Sequence, residues 1–325
     1  KLGTGRVNAY KAVTAKAIST ETAEEAKVRY VVSAKAGSEP KIWYLDNKGN
    51  KLKDFYAFSP SFMGGVNVAV GDIDNDGMAE VVAGAGAGGA PHIRIFNLSG
   101  ELKYQFYAFD KSRRSGVTAA IGDTNGDGKN EIIAVEAGKT KPSARILDKN
   151  GAIVKDNIKI FDKYFTNGIS LAAGDVNDDG RDEILGGAPQ GAADFVRIVD
   201  EDKNIIGSFS PFGGKFYGGV NVAVGDLNND GWSDIVLSKA RGSSVVKTYD
   251  YTGRLLSPDF AAYGKNKFLT GLGTGDMNKD KNYEILTVGT GSEIKIWDDN
   301  FNLKTSFYPF GKTFTKGLNA YIVTR

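Results

Sequence analysis

The sequence predicts an all-β fold, a β-propeller of about six four-stranded blades with seven as the alternative, and three observations carry that expectation. An acidic motif, GDIDNDGMAEVV from Gly71, returns as GDTNGDGKNEII from Gly122, GDVNDDGRDEIL from Gly174, GDLNNDGWSDIV from Gly225 and GDMNKDKNYEIL from Gly275. Its first aspartates, at 72, 123, 175, 226 and 276, are 51, 52, 51 and 50 residues apart, which is one module repeated in tandem. Each period holds about four short alternating segments separated by turns, the spacing of a propeller blade. Glycine is abundant at 42 residues and proline scarce at 8, with no collagen-like period, so the glycines mark those turns.

Within a module the elements follow in order. VNVAVGD alternates as a strand before the acidic turn, and EVVAG is the strand after it. A glycine-rich turn leads to a third strand: HIRIFN from His92, SARILD from Ser143, FVRIVD from Phe195, VVKTYD from Val245 and EIKIWD from Glu293. A two-residue polar turn then enters a segment ending in aromatics, FYAF at Phe55 and Phe106 and FYPF at Phe307. A Gly-Val or Gly-Leu pair restarts the cycle.

The terminal modules differ from the middle ones. IWYLDNKG at Ile42 aligns with IRIFNLSG at Ile93, so a first blade exists, but Arg29 stands where Glu80 stands and no metal is expected there. The segment KGLNAYIVTR matches the start of a module, and so does TGRVNAY at Thr4. Either would close the ring and remove the exposed sheet edges that invite aggregation. The single domain 1–325 then divides into a degenerate module 1–65, modules 66–116, 117–168, 169–219, 220–270 and 271–316, and a closing strand 317–325.

Composition narrows the functional classes. At 325 residues, 41% hydrophobic and 25% charged, the chain reads as an ordinary globular protein. No apolar run approaches a membrane span and no signal peptide is apparent, so a span is not expected; Lys1 in place of methionine predicts a processed or excised chain. With no cysteine, disulfides, thiolate metal sites and cysteine nucleophiles are excluded. The one histidine, His92, has no counterpart in the other modules and reads as structural, and AGAGAGGAP has no helix after it to hold a phosphate. No catalytic residue is assigned and no enzyme is expected. A polysaccharide lyase survives only by analogy, needing a lone Lys, Arg or Tyr base.

The acidic loop is not an EF-hand. A loop starting at Asp72 would need a bidentate glutamate at its twelfth position, which is Ala83. Its last carboxylate, Glu80, comes at the ninth. Together VNVAVGD, the DxDxDGxxE loop, the AGAGGAPHIRIF turn and strand, and FYAF resemble the FG-GAP or VCBS-type repeats of β-propellers, over roughly residues 28–325. That family includes the integrin α-subunit head, calcium-loop lectins and secreted bacterial surface proteins. The resemblance implies the propeller and a calcium ion in each complete loop.

The loop chemistry points to calcium independently. A hard cation takes six to eight oxygens, and side chains at positions one, three, five and nine with a carbonyl at seven supply most of them. The first site is Asp72, Asp74, Asp76 and Glu80 with the Met78 carbonyl; the second Asp123, Asn125, Asp127 and Glu131 with Lys129. Then come Asp175, Asn177, Asp179 and Glu183 with Arg181, and Asp226, Asn228, Asp230 and Asp234 with Trp232. The fifth, Asp276, Asn278, Asp280 and Glu284 with Asn282, has Lys281 in place of the glycine and is the weakest site. Magnesium is second choice because it demands octahedral geometry. The plain alternative is metal-free Asp/Asn/Gly turns.

Sixteen carboxylates serve these loops, leaving 23 against 41 Lys and Arg, so five bound Ca2+ raise the formal charge from +2 to +12. That surface would steer acidic polymers toward it, although a solvated lysine-rich surface is the blander reading, and no specific nucleic-acid motif accompanies it. The resemblance places the metal turns on one face and a protein or glycan partner on the other, among loops carrying Met63, Arg114, Tyr164 and Tyr217. Phe62, Phe165, Phe216, Phe268 and Phe314, with Arg113 in the remaining loop, are expected to wedge between blades, and Arg94, Arg145, Arg197, Lys247 and Lys295 to form salt bridges between blades. The expected function is an extracellular or cell-surface, calcium-stabilised adhesion or interaction module. A lectin-like glycan binder and the propeller of a carbohydrate-active enzyme are the alternatives.

Overall fold

The second strands are mainly apolar between their end residues and almost wholly buried, as in Glu80–Ala85 and Glu131–Glu136, because each is sandwiched between neighbouring blades. The outer strands, such as Leu102–Tyr107, alternate between partly buried and exposed positions. The computed structural model describes residues 27–138, 142–162, 167–265 and 267–324. Among them every strand falls into one of six four-stranded antiparallel sheets.

Five sheets use consecutive strands, for example Val66–Gly71, Glu80–Ala85, His92–Phe96 and Leu102–Tyr107. The remaining sheet does not. Leu318–Ile322 pairs antiparallel with Tyr30–Ala34, in register from Tyr30 with Ile322 to Ala34 with Leu318, and Lys41–Leu45 and Lys51–Tyr56 complete that blade. The segment at 318–322 therefore closes a six-bladed ring, while TGRVNAY at Thr4 lies outside the described residues. The innermost strands neighbour one another cyclically, and Asn319 Nδ2 donates to the Val66 carbonyl of the next blade at 2.8 Å. In the sixth blade the first strand runs Leu269–Gly275, with a bulge between Leu269 and Gly271.

The core lies between blades. Six apolar clusters correspond to six blade interfaces, each joining two neighbours. One joins Val82, Ile93 and Ile95 to Val117, Ile132 and Leu147; the closing one joins Tyr30 and Val32 to Leu286, Ile296, Leu318 and Ile322. Approach is close enough that a Cβ at Gly84 would meet the Val117 carbonyl oxygen at 2.4 Å, so that position takes no side chain.

The basic third-strand residues reach the preceding blade, but ion pairing is the exception. Arg94 and Arg145 donate to the carbonyls of Ala57 and Ala108 at 2.8 and 2.7 Å, and Lys247 and Lys295 to Pro211 and Ala262 at 3.3 and 3.1 Å. Of these five residues, Arg197 alone forms an ion pair between blades, with Asp162 at 3.4 Å. The reason is geometric: the last outer-strand carbonyls face the next blade with an aromatic ring beside them. The cations sit over Phe58, Phe109, Phe161, Phe212 and Tyr263 at 5.9, 5.0, 5.6, 5.6 and 4.7 Å. In the closing blade Trp43 takes the basic position and stacks on Phe310 at 4.0 Å. Phe62, Phe216 and Phe314 pack on the same aromatics, Phe58, Phe212 and Phe310. Phe165 lies outside the described residues.

Candidate metal centre

All five acidic motifs fold as the same tight turn between the first and second strands of their blades. The first aspartate accepts the backbone N–H of position six in every loop: Gly77 to Asp72 at 2.9 Å, Gly128 to Asp123 at 2.7 Å, Gly180 to Asp175 at 2.9 Å, Gly231 to Asp226 at 3.0 Å and Lys281 to Asp276 at 3.1 Å. Position six is left-handed, with φ of +91° at Gly77, and a Cβ there would meet nothing, so backbone conformation and not space calls for glycine. Lys281 adopts φ +74° in the same place, which costs the fifth loop the strain glycine avoids.

The ninth-position carboxylates are the buried members. Glu80, Glu131, Glu183, Asp234 and Glu284 are between 1 and 8% exposed. One oxygen of each accepts the N–H of the loop's second residue, Ile73, Thr124, Val176, Leu227 and Met277 respectively. In four loops the other oxygen faces a donor inside the turn. Lys103 Nζ fills that place in the first loop, 2.9 Å from Glu80, 2.5 Å from Asp74 and 3.5 Å from Asp76. Asn125, Asn177 and Asn278 donate there to Glu131, Glu183 and Glu284 at 2.9, 3.1 and 3.2 Å, and Lys304 adds a 2.6 Å contact to Glu284. Burial pushes Glu80 up to about 7, Glu183 to about 8 and Asp234 to about 6, and Glu131 in the same direction. For Lys103, burial opposes the charge, but hydrogen bonds to Asp74 and Glu80 outweigh it and hold the ammonium.

The donor set fits a hard cation. Oxygens of Asp72, Asp74 and Glu80 lie within 4.8 Å of one another, and Asp76 joins the same group through Lys103. The backbone N–H groups of Asp127, Asp179, Asp230 and Asp280 donate to the side-chain oxygens of Asn125, Asn177, Asn228 and Asn278. Those of Asp127, Asp179 and Asp230 also donate to Asp123, Asp175 and Asp226, whereas Asp276 accepts from Lys279. The backbones of Met78, Lys129, Arg181, Trp232 and Asn282 are fixed at position seven by N–H bonds to the position-five aspartates, at 2.9 to 3.0 Å.

Two features were not anticipated from the motif. Lys103 and Lys304 come from outer strands, remote in sequence from the carboxylates they meet. The loops are also laced together through position eight. The Asn130 side chain donates to the Asp72 carbonyl at 2.7 Å, and the backbone N–H groups of Asp182, Ser233 and Tyr283 donate to the carbonyls of Asp123, Asp175 and Asp226. Because the bond comes mainly from backbone, position eight varies freely in side chain and carries no sequence signal.

A closed six-bladed ring with acidic turns in five successive blades defines a β-propeller built from one repeated module. Residues 111–186 match the FG-GAP-like repeat, and with the integrin-like similarity below this supports an FG-GAP-type propeller. Over 73 residues it is 40% identical to integrin alpha-8 of Gallus gallus, covering 22% of this chain and 7% of that protein. Over 238 residues it is 27% identical to integrin alpha pat-2 of Caenorhabditis briggsae, covering 57% and 19% respectively. The chain thus spans less than a fifth of the length of these relatives. A solved Bacteroides caccae protein of unknown function shares the fold, with TM-score 0.57 at 11% identity over 91% of this chain and 99% of that one.

Proposed function

We propose that this propeller is a non-catalytic adhesion or interaction module at the cell surface or outside the cell, braced by calcium in its five acidic turns. The observation that carries the reading is that five blades in succession build the same turn, each with a buried carboxylate facing other oxygen donors. Calcium would supply the divalent charge that the carboxylates jointly lack. Asp72, Asp74, Asp76 and Glu80 with the Met78 carbonyl would hold it in the first site, and the corresponding residues in the other four. The turns contain no helix pair to open, which favours a brace over a switch. Sites of about 10⁻⁴–10⁻³ M suit extracellular modules, where calcium is plentiful, and the integrin relatives support the same location. His92 stacks on Tyr107 at 4.6 Å, which supports a structural role. No helix among the described residues is long and apolar enough to cross a membrane.

The partner face is proposed to be the one opposite the metal turns, where Met63 and Tyr217 are 51 and 59% exposed; Tyr164 lies outside the described residues. Calorimetric titration of metal-free protein is expected to show uptake of about five calcium ions, and surfaces coated with the protein are expected to hold cells in calcium and release them in EDTA. No uptake removes the brace, and attachment indifferent to the coating removes the adhesion reading.

Lys103 gives a narrower test. Its ammonium occupies the carboxylate group that calcium would also neutralise. Lys103→Met is expected to lower the melting midpoint by about 3 °C in EDTA, the cost of uncompensated carboxylates, and to change it little in saturating calcium. Equal losses in both conditions, followed by differential scanning calorimetry, would contradict competition for one site.

A further inference from the structure

On the face opposite the acidic turns, the ring opens into a central funnel of about 720 Å³. Its wall is pseudo-sixfold. The innermost strands contribute small polar side chains near their starts, including Asn67, Thr118, Ser170, Asn221 and Asn319. At the end of each second strand, five blades place a small residue on the wall: Gly86, Ala137, Ala188, Ala240 and Thr290. The closing blade places Lys35 there instead. The same blade breaks the symmetry again deeper in the channel, where Tyr321 takes the register position held by Ala69, Ala120, Ala172, Ala223 and Gly273.

Neither exception is required by the packing, since glycine, alanine or threonine serves the other blades. Lys35 donates to the Thr270 carbonyl and forms no ion pair with any described carboxylate. Burial lowers its ammonium to about 8, the signature of a cation without its counter-charge. Lys316 and Arg241 are exposed at the mouth, and among the described residues no aspartate or glutamate lines the funnel. The Tyr321 hydroxyl makes no hydrogen bond within the described chain, and burial pushes it up to about 12. Every charged group that the described residues place on the wall is therefore positive, and the remainder is amide, hydroxyl and apolar surface.

We propose that the funnel is a binding site for a carboxylated saccharide, with Lys35 as the anchor for its carboxylate, Tyr321 and the ring of asparagine, serine and threonine side chains contacting its hydroxyls, and Lys316 and Arg241 drawing it in. A cavity of this volume suits a ligand of two or three sugar units. An acidic peptide is the poorer match, because side chains other than its carboxylates would meet amides and hydroxyls where apolar pockets are wanted. The assignment needs the closed ring but neither the metal nor the adhesion reading, so binding in EDTA at a temperature where the ring stays folded tests it separately from both.

The probe is trigalacturonate, titrated calorimetrically into the full chain, beside its methyl ester and a tri-glutamate peptide. Saturable one-to-one binding of the acid, weakened at least tenfold by esterification and at least tenfold by Lys35→Ala, is the expected result, with the variant's melting midpoint unchanged because alanine already stands at three equivalent positions. Lys35→Arg is expected to retain most of the affinity. Absence of binding, equal binding of the ester, equal binding of the peptide, or a Lys35→Ala variant that folds and binds like the parent would each overturn the proposal.

Discussion

Excess EDTA is expected to lower the melting midpoint of this propeller by about 10 °C. If free calcium stands about tenfold above the dissociation constant, each site contributes roughly 1.4 kcal/mol and five contribute about 7. For a chain of 325 residues the unfolding entropy is about 0.7 kcal/mol per kelvin, which converts that sum into the stated shift. The drop also depends on pH. Burial raises Glu80, Glu183 and Asp234 to about 7, 8 and 6 in the metal-free fold, above their unfolded values, so the folded state binds more protons than the unfolded one. The metal-free protein should therefore be most stable below the unfolded pKa of a carboxylate, near 4, and lose that stability as pH rises through about 6 to 8. The gap between calcium and EDTA melts should be wider at pH 8 than at pH 5.5. Superimposable melts with and without EDTA at both pH values would sink the calcium brace.

A chain ending at Gly317 is expected to lose the cooperative fold. Removing 318–325 strips the pairing from Tyr30–Ala34 and leaves an open sheet edge. It also removes Leu318, Ala320 and Ile322 from the interface that joins the sixth blade to the first, and Val323 from the one between the first and second, all at most 4% exposed. Burying three large aliphatic side chains is worth roughly 5–9 kcal/mol, comparable to the ~5–15 kcal/mol stability of a whole domain. Circular dichroism melts and gel filtration should show a broadened or absent transition and an expanded or aggregated species. Adding the missing segment as a peptide should restore the compact form, since the lost element is a single edge-pairing strand. A truncated chain with the parental midpoint would show that the ring does not depend on this closure.

Much of this architecture is legible in the linear chain because it rests on local, repeated chemistry. The step of about 51 residues reports one blade per period, the apolar second strands report burial on both faces, and the glycines at position six report a left-handed turn that needs no tertiary contact. Ring closure was only half legible. Both TGRVNAY and KGLNAYIVTR carry the first-strand pattern, and pairing across nearly the full chain length has no local signature. The basic third-strand positions were recognisable as a recurring set, yet their partners, backbone carbonyls and aromatic faces of the preceding blade, depend on how blades pack. Lys103 among the carboxylates of the first loop was invisible because it reaches them from the outer strand of the same blade, a contact with no local pattern.

By itself the sequence determined the all-β class, the repeating blade and the composition of five oxygen-rich turns, because strand alternation, turn glycines and ligand spacing act over fewer than a dozen residues. Tertiary structure alone decided that the ring has six blades closed by Leu318–Ile322. It also decided that adjacent acidic turns are laced through position eight, and that Lys35 and Tyr321 of the closing blade face a channel which other blades line with small residues. Those facts belong to residues brought together from opposite ends of the chain, and only the geometry of the closed ring puts them side by side.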